Sequence, residues 1–152
     1  TLMIATPSKR GKVTVTLFAN VDGKKTRMGS EEFRVKQVPP PKAKVSLATN
    51  IEGELIISKN DLMNSGGVLA DLENFEFKGI RYRIESFTMV GLYKGEQITE
   101  EAVGNEWTKD QQDLIRNVRV GSIINITKIQ AVRINVKDPE IRQLDPLILT
   151  LK

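Results

Sequence analysis

The chain has no histidine and no cysteine among its 152 residues. The first absence removes the side chain most often used as a general base and metal ligand near neutral pH. The second removes thiol nucleophiles, disulfides and every Cys/His zinc site. It names no compartment, because an oxidising space without need of disulfides and a reducing one fit equally well. Aromatic residues are few: one Trp, two Tyr and five Phe. No run of about 20 apolar residues occurs, so no segment reads as a membrane span. The chain does not begin with Met and shows no leader at Thr1, so it reads as an internal or C-terminal piece of a longer protein.

What is present is a globular balance, with 39% hydrophobic and 28% charged residues. The net charge of +4 comes from 23 basic and 19 acidic residues. The basic ones are scattered (Lys9, Arg10, Lys12; Lys24, Lys25, Arg27; Arg81, Arg83) and, Tyr82 apart, lack the interleaved aromatics on which bases stack. They read as solvated strand faces and turn tips, and no nucleic-acid partner is expected.

The organising feature is Glu32-Phe33-Arg34-Val35-Lys36-Gln37-Val38-Pro39-Pro40-Pro41-Lys42-Ala43. It starts with strand alternation and runs into three prolines. Each fixes φ near −65° and none donates a ladder hydrogen bond, so a stiff connector must follow the strand. This spacing divides the chain into residues 1–37, the last strands of a truncated Ig-like β domain; a connector, 38–42; and a C-terminal β-rich domain, 43–152. In the first part, residues 13–19 alternate with β-branched enrichment, Asp22-Gly23 is a hairpin turn and residues 31–38 return as the partner strand. A lone hairpin is marginal in water, so this part leans on something else.

In the second part, strands are expected at 43–48, 54–57, 68–72, 82–93 and 123–136, with a last apolar strand over 147–151. Ser58 with Asp61 opens a short helix, and Gly66-Gly67 closes it with a left-handed residue. Thr108 with Gln111 makes a capping box for a helix over Lys109–Val118, with Gly121 past its end. A slip in alternation places a bulge near Val90-Gly91. The segment Lys94–Trp107 reads as a long acidic loop. The fold class is mainly β: tandem modules, the last with long antiparallel strands and two short helices. The strands over 82–93 and 123–136 span about 40 Å at roughly 3.3 Å per residue, longer than most small domains need.

Little here carries chemistry. Glu100, Glu101, Glu106, Asp110 and Asp113 form the densest carboxylate cluster. It lacks the interleaved Asp/Asn-Gly spacing of a calcium loop, and acids favour helix starts for dipole reasons. Ser and Thr have no His to activate them, and Gly66-Gly67 is followed by no Lys-Ser/Thr. The chain is read as a non-enzyme without catalytic, cofactor or metal residues. Trp107 is either a packing residue before a helix or an interface anchor. Glu100, Glu101, Glu106 and Trp107 are the candidate partner contacts: the acids to steer a basic partner, the Trp to anchor it. An alternative reading, a ligand- or carbohydrate-binding β module, would need an aromatic platform. A carboxylate-dependent hydrolase would need a pocket holding two acids at catalytic separation.

The junction Phe33-Arg34-Val35-Lys36-Gln37-Val38-Pro39-x-Pro41-x-Ala43 resembles the F-R-V-K-x-(I/V)-P-x-P-x-A junction of the GldM/PorM family. Further pieces follow in that family's order: Gly66-Gly67-Val68-Leu69-Ala70; Asn74-Phe75-Glu76-Phe77 before Tyr82-x-Ile84-x-Ser86-Phe87; the Leu114-Ile115 helix; Val120-Gly121; and Arg142-x-Leu144-x-Pro146-Leu147. The similarity covers roughly residues 31–152 and departs at Gly121-Ser122, where the family pattern puts an acid. It implies a periplasmic, non-catalytic module of the type IX secretion and gliding machinery, part of a longer protein anchored in the inner membrane. It further implies a homodimer, with a GldL/PorL-like inner-membrane partner for the N-terminal part and GldK/GldN-like (PorK/PorN-like) outer-membrane ring subunits as distal partners.

Overall fold

A computed structural model describes residue 7 and residues 9–73 and 79–152. The Asn74–Phe77 motif and most of the first eight residues lie outside them. The chain forms two compact units, Thr1–Pro39 and Pro40–Lys152.

The first unit is a hairpin of β1 (Gly11–Val21) and β2 (Lys24–Val35). Its turn, Asp22-Gly23, has φ of 49° and 75°. Both central residues are therefore left-handed, as a type I′ turn demands. The return strand begins directly after the turn, seven residues earlier than the pattern at 31–38 suggests, because ladder pairing carries Lys24–Ser30 into the sheet despite their weak alternation. A register shift puts Leu17 opposite Gly29 and Phe18 opposite Arg27. No described residue of the hairpin is buried, and Leu17, Met28 and Phe33 are more than half exposed.

The second unit is built on a seven-stranded sheet of order β4 (Thr49–Ile51), β5 (Glu54–Ile57), β11 (Leu147–Leu151), β9 (Ile123–Arg133), β7 (Tyr82–Tyr93), β8 (Glu96–Val103). β10 (Ile141–Gln143) continues beside β9 where β11 leaves off. The sheet is mixed: β5 and β11 run parallel, all other pairs antiparallel. A smaller sheet pairs β3 (Lys42–Val45) with β6 (Val68–Asp71). Strands dominate, as the alternation implies.

One face of the large sheet carries the core. Ile57, Phe87, Met89, Ala102, Ile124, Ile126, Ile129, Ala131, Leu147, Leu149 and Leu151 are buried with Leu62, Leu114, Ile115 and Val118. Helix α1 (Lys59–Asn64) is capped by the Ser58 hydroxyl, which accepts from the Asp61 N–H at 3.0 Å. Helix α2 (Lys109–Asn117) carries the full capping box of Thr108 and Gln111. It ends at Val118 in extended backbone. Gly121 (φ 86°) belongs to the next turn, not to the helix cap. The last carbonyls of α2 are instead met by the ammonium of Lys59, which donates to Arg116 O and to Val118 O (2.8 Å). This cation complements the negative end of the helix dipole and ties α1 to α2.

The bulge lies elsewhere than Val90-Gly91. Burial on β7 switches from Ile84 to Phe87, Met89 and Gly91. The register with β9 shifts on either side of Ser86, and Lys128 of β9 is left-handed (φ 49°). An extra residue in each strand cancels the other, so both change face together and apolar pairs stay matched. Gly91 serves a different purpose. A Cβ there would lie 3.2 Å from Val118 and 3.4 Å from Leu114, so its bareness lets α2 sit close on the sheet.

Candidate docking surface

Lys94–Trp107 is not a long loop. Lys94-Gly95 (φ 53° and 85°) makes a second tight hairpin, and Glu96–Val103 is a strand that pairs with β7 in unbroken register from Tyr93↔Glu96 to Ser86↔Val103. Three glutamates hide the strand pattern, since Glu has low β propensity. What makes it a strand is the pairing itself and the packing of Ile98 and Ala102 with the core.

Strand β8 spreads the candidate contacts over two faces and an exit turn. Strand alternation puts Glu100 on the helix-bearing side and Glu101 on the other face. Glu100 is half-buried and shares a groove of about 220 Å³ with Tyr93, Ile98, Asp110, Asp113, Leu114 and Asn117. Its backbone carbonyl accepts from the Gln111 side chain at 3.0 Å. Glu101 and Glu106 are exposed, and Glu106 forms an antiparallel bridge with Gly67. The three acids thus lie around one strand and its exit, not on one flat patch.

Trp107 is 5% exposed. Its indole N–H donates to Leu62 O at 2.9 Å, and its ring meets Phe87 edge-on at 5.5 Å. It is a core residue that joins α1, the loop before α2 and β7, and it offers no surface anchor. The signal for this was the capping box that follows it, which fixes a helix start needing apolar support.

Gln111 was visible as a cap but not as a tie. Fully buried, it accepts from Thr108 N–H at 3.2 Å and donates to Glu100 O, bolting α2 onto β8. Every buried side-chain polar atom among the described residues has a partner.

Chemically the surface is plain. Among the described residues no three carboxylates are grouped to hold a metal. The acid-lined groove is smaller than the roughly 300 Å³ at which small-molecule sites begin, and Asp113 in it is paired with Arg116 at 2.6 Å. A groove of about 440 Å³ runs beside β6, lined by Lys44, Asp71, Tyr82, Arg83 and Asn105 with aliphatic neighbours. It has one aromatic and one carboxylate, short of a sugar platform or a catalytic acid pair. Lys42 and Glu73 perturb each other's ionisation. Their hydrogen bond at 2.6 Å, reinforced by their opposite charges, holds the ammonium above its ordinary range and the carboxylate below its own.

These features define a mainly β module on a mixed seven-stranded sheet, with two capped helices on one face and an acidic strand at one edge. The family model for the GldM C-terminal domain matches residues 39–151, and the chain belongs to that family. A search of curated proteins found no match. The family ties the chain to type IX secretion and gliding, and to the periplasmic part of an anchored protein. No helix among the described residues is long and apolar enough to cross a membrane.

Proposed function

We propose that this chain is a non-catalytic transmission and docking module, which links the inner-membrane motor of the type IX machinery to the outer-membrane-associated ring. The observation that carries this reading is the acidic strand β8 at the rim of a sheet otherwise braced on all its core positions. Force passed along the chain reaches a rigid body, and Glu96, Glu100, Glu101 and Glu106 give that body a local negative field in a protein of net charge +4. Such a field attracts a basic surface and sets the encounter rate more than the final affinity. Ring subunits of the GldK/GldN (PorK/PorN) type are the expected partners, with a GldL/PorL-like partner for the inner-membrane part.

The test replaces Glu100, Glu101 and Glu106 by Lys together and measures association with purified ring subunits. Binding at low salt is expected to fall at least about tenfold, with a shallower salt dependence. Undiminished binding, with an unchanged melting curve, refutes the electrostatic contact. The same reading expects a homodimer, since among the described residues β1 and β2 pair only with one another, and each has an outer edge without a partner strand. Light scattering at micromolar concentration should give the mass of two chains, and a monomer mass excludes it.

A further inference from the structure

β8 is an outermost strand. Its two edges differ, and the hydrogen-bond parity says how. Gly104 N–H donates to Glu85 O at 2.7 Å, one step beyond the Ser86↔Val103 pair. In an antiparallel ladder hydrogen-bonded and non-hydrogen-bonded pairs alternate. Glu96, Ile98, Glu100 and Ala102 therefore direct their N–H and C=O groups at β7. Gln97, Thr99, Glu101 and Val103 direct theirs away from the sheet. Among the described residues no strand pairs with that outer side. All four residues are exposed, Val103 to 94%.

Edges of this kind are normally blunted by shortness, a bulge, a proline or a lysine. The opposite edge of the same sheet obeys: β4 has only three residues. β8 has eight, in straight register, with no proline, no lysine and no bulge. It is a ready template for one more strand.

Charge selects the strand. From Gly95 to Thr108 there are four glutamates and no lysine or arginine. A second copy of β8 would set two such stretches side by side, and like charges across a pair of strands destabilise it. We propose that the free edge of β8 takes up an extended, lysine- or arginine-bearing segment of a partner protein as an added strand. Main-chain bonds to residues 97, 99, 101 and 103 supply the affinity, and Glu101 beside Thr99 and Val103 favours a basic residue opposite it. The inference rests on the docking reading above and specifies its geometry.

The experiment is site-resolved amide hydrogen exchange on the full chain, alone and with an acetylated synthetic peptide of about nine residues alternating lysine and valine. A control peptide carries glutamate in place of lysine. The amides of Gln97, Thr99, Glu101 and Val103 should exchange freely alone and slow about tenfold with the basic peptide only. Thr99→Pro should abolish the slowing, since that N–H makes no bond to β7. Should Thr99→Pro misfold, Glu96→Lys with Glu101→Lys provides the second variant, with foldedness read from Trp107 fluorescence. No slowing at the four outward amides overturns the proposal. So does equal slowing by the glutamate peptide, or protection that grows with chain concentration alone, which would make the occupant a second copy. Ring subunits that bind Thr99→Pro normally but not the Glu→Lys variants would leave the docking reading standing and remove the edge from it.

Discussion

Gly66 and Gly67 look alike as a helix stop, yet the structure gives them different tasks, and alanine separates the two. Gly66 is the left-handed residue after α1, with φ of 75° and open space where a Cβ would go. Alanine there meets only the left-handed penalty, about 1–2 kcal/mol. Gly67 is buried, and a Cβ on it would lie 1.8 Å from Asn105 O and 2.7 Å from Asn105 C. Both atoms are backbone, so no rotamer change can relieve the overlap. The strand at 66–68 would have to part from 105–107, losing Val68 N–H to Asn105 O (2.8 Å) and Trp107 N–H to Gly66 O (3.0 Å). Each buried group left unpaired costs about 1–3 kcal/mol, and displacing Trp107 adds to it. Gly67→Ala should therefore cost about 4 kcal/mol or more, a large share of the roughly 5–15 kcal/mol that holds a domain folded. For a unit of this size that is a melting drop of about 15 °C or more. Trp107 is the only tryptophan, so urea unfolding followed by its fluorescence reports on the perturbed region. Gly66→Asn should be nearly neutral, because Asn tolerates the left-handed region. Equal costs for the two alanines, or a smaller cost at Gly67, would refute the reasoning.

Gln111→Leu should lose about 1–3 kcal/mol by stranding Thr108 N–H and weakening the tie to Glu100 O. Gln111→Glu should be worse at neutral pH, since it sets a buried carboxylate against a carbonyl. Its folded pKa is then raised, so stability should return as the pH falls and the proton binds; urea midpoints at pH 7 and 4.5 decide it. Lys42 and Glu73 are fully exposed, so their pair should contribute little: Glu73, lowered from 4.5, favours the fold above that pH and loses its effect as acid titrates it, whereas Lys42, raised from 10.5, contributes below that pH and fades as base deprotonates it. The Lys42→Met melting difference should vanish in 1 M salt. Pro39→Gly with Pro40→Ser should leave the melting of the second unit unchanged while lowering secretion or gliding in the full-length protein, because both prolines are exposed; Pro41 is buried and is best left in place.

Local chemistry made several elements legible. The caps at Ser58 and Thr108, the type I′ turn at Asp22-Gly23 and the bounds of β7 all depend on neighbours within a few residues. The family junction at Phe33–Ala43 was equally visible. β8 was not, because Glu-Gln-Ile-Thr-Glu-Glu-Ala-Val becomes a strand only through pairing with β7 and the roof of α2. β4 and β10 have three residues each, too short for any period to show. The compensating bulges at Ser86 and Lys128 are two halves of one event, and neither half reads as a bulge alone. Of the candidate contacts, Glu101 and Glu106 are exposed and Glu100 is half-buried. Trp107 turned inward because burying its large apolar ring is favourable and the Leu62 carbonyl satisfies its N–H there.

The parallel pairing of β5 with β11 carries a consequence for how the unit comes to exist. Leu55 lies opposite Leu149, about ninety positions later in the chain. Closing so long a loop costs about 4 kcal/mol in chain entropy before any contact repays it. β11 stands between β5 and β9, so the β4–β5 hairpin has no place in the large sheet until β11 arrives. During synthesis that hairpin must wait while nearly the whole unit is made, with Ile56 and Ile57 unshielded. Folding should be slow, as long-range pairing generally is. The interval is one in which a chaperone that holds the apolar strand at 54–57 would matter more than one acting on either helix.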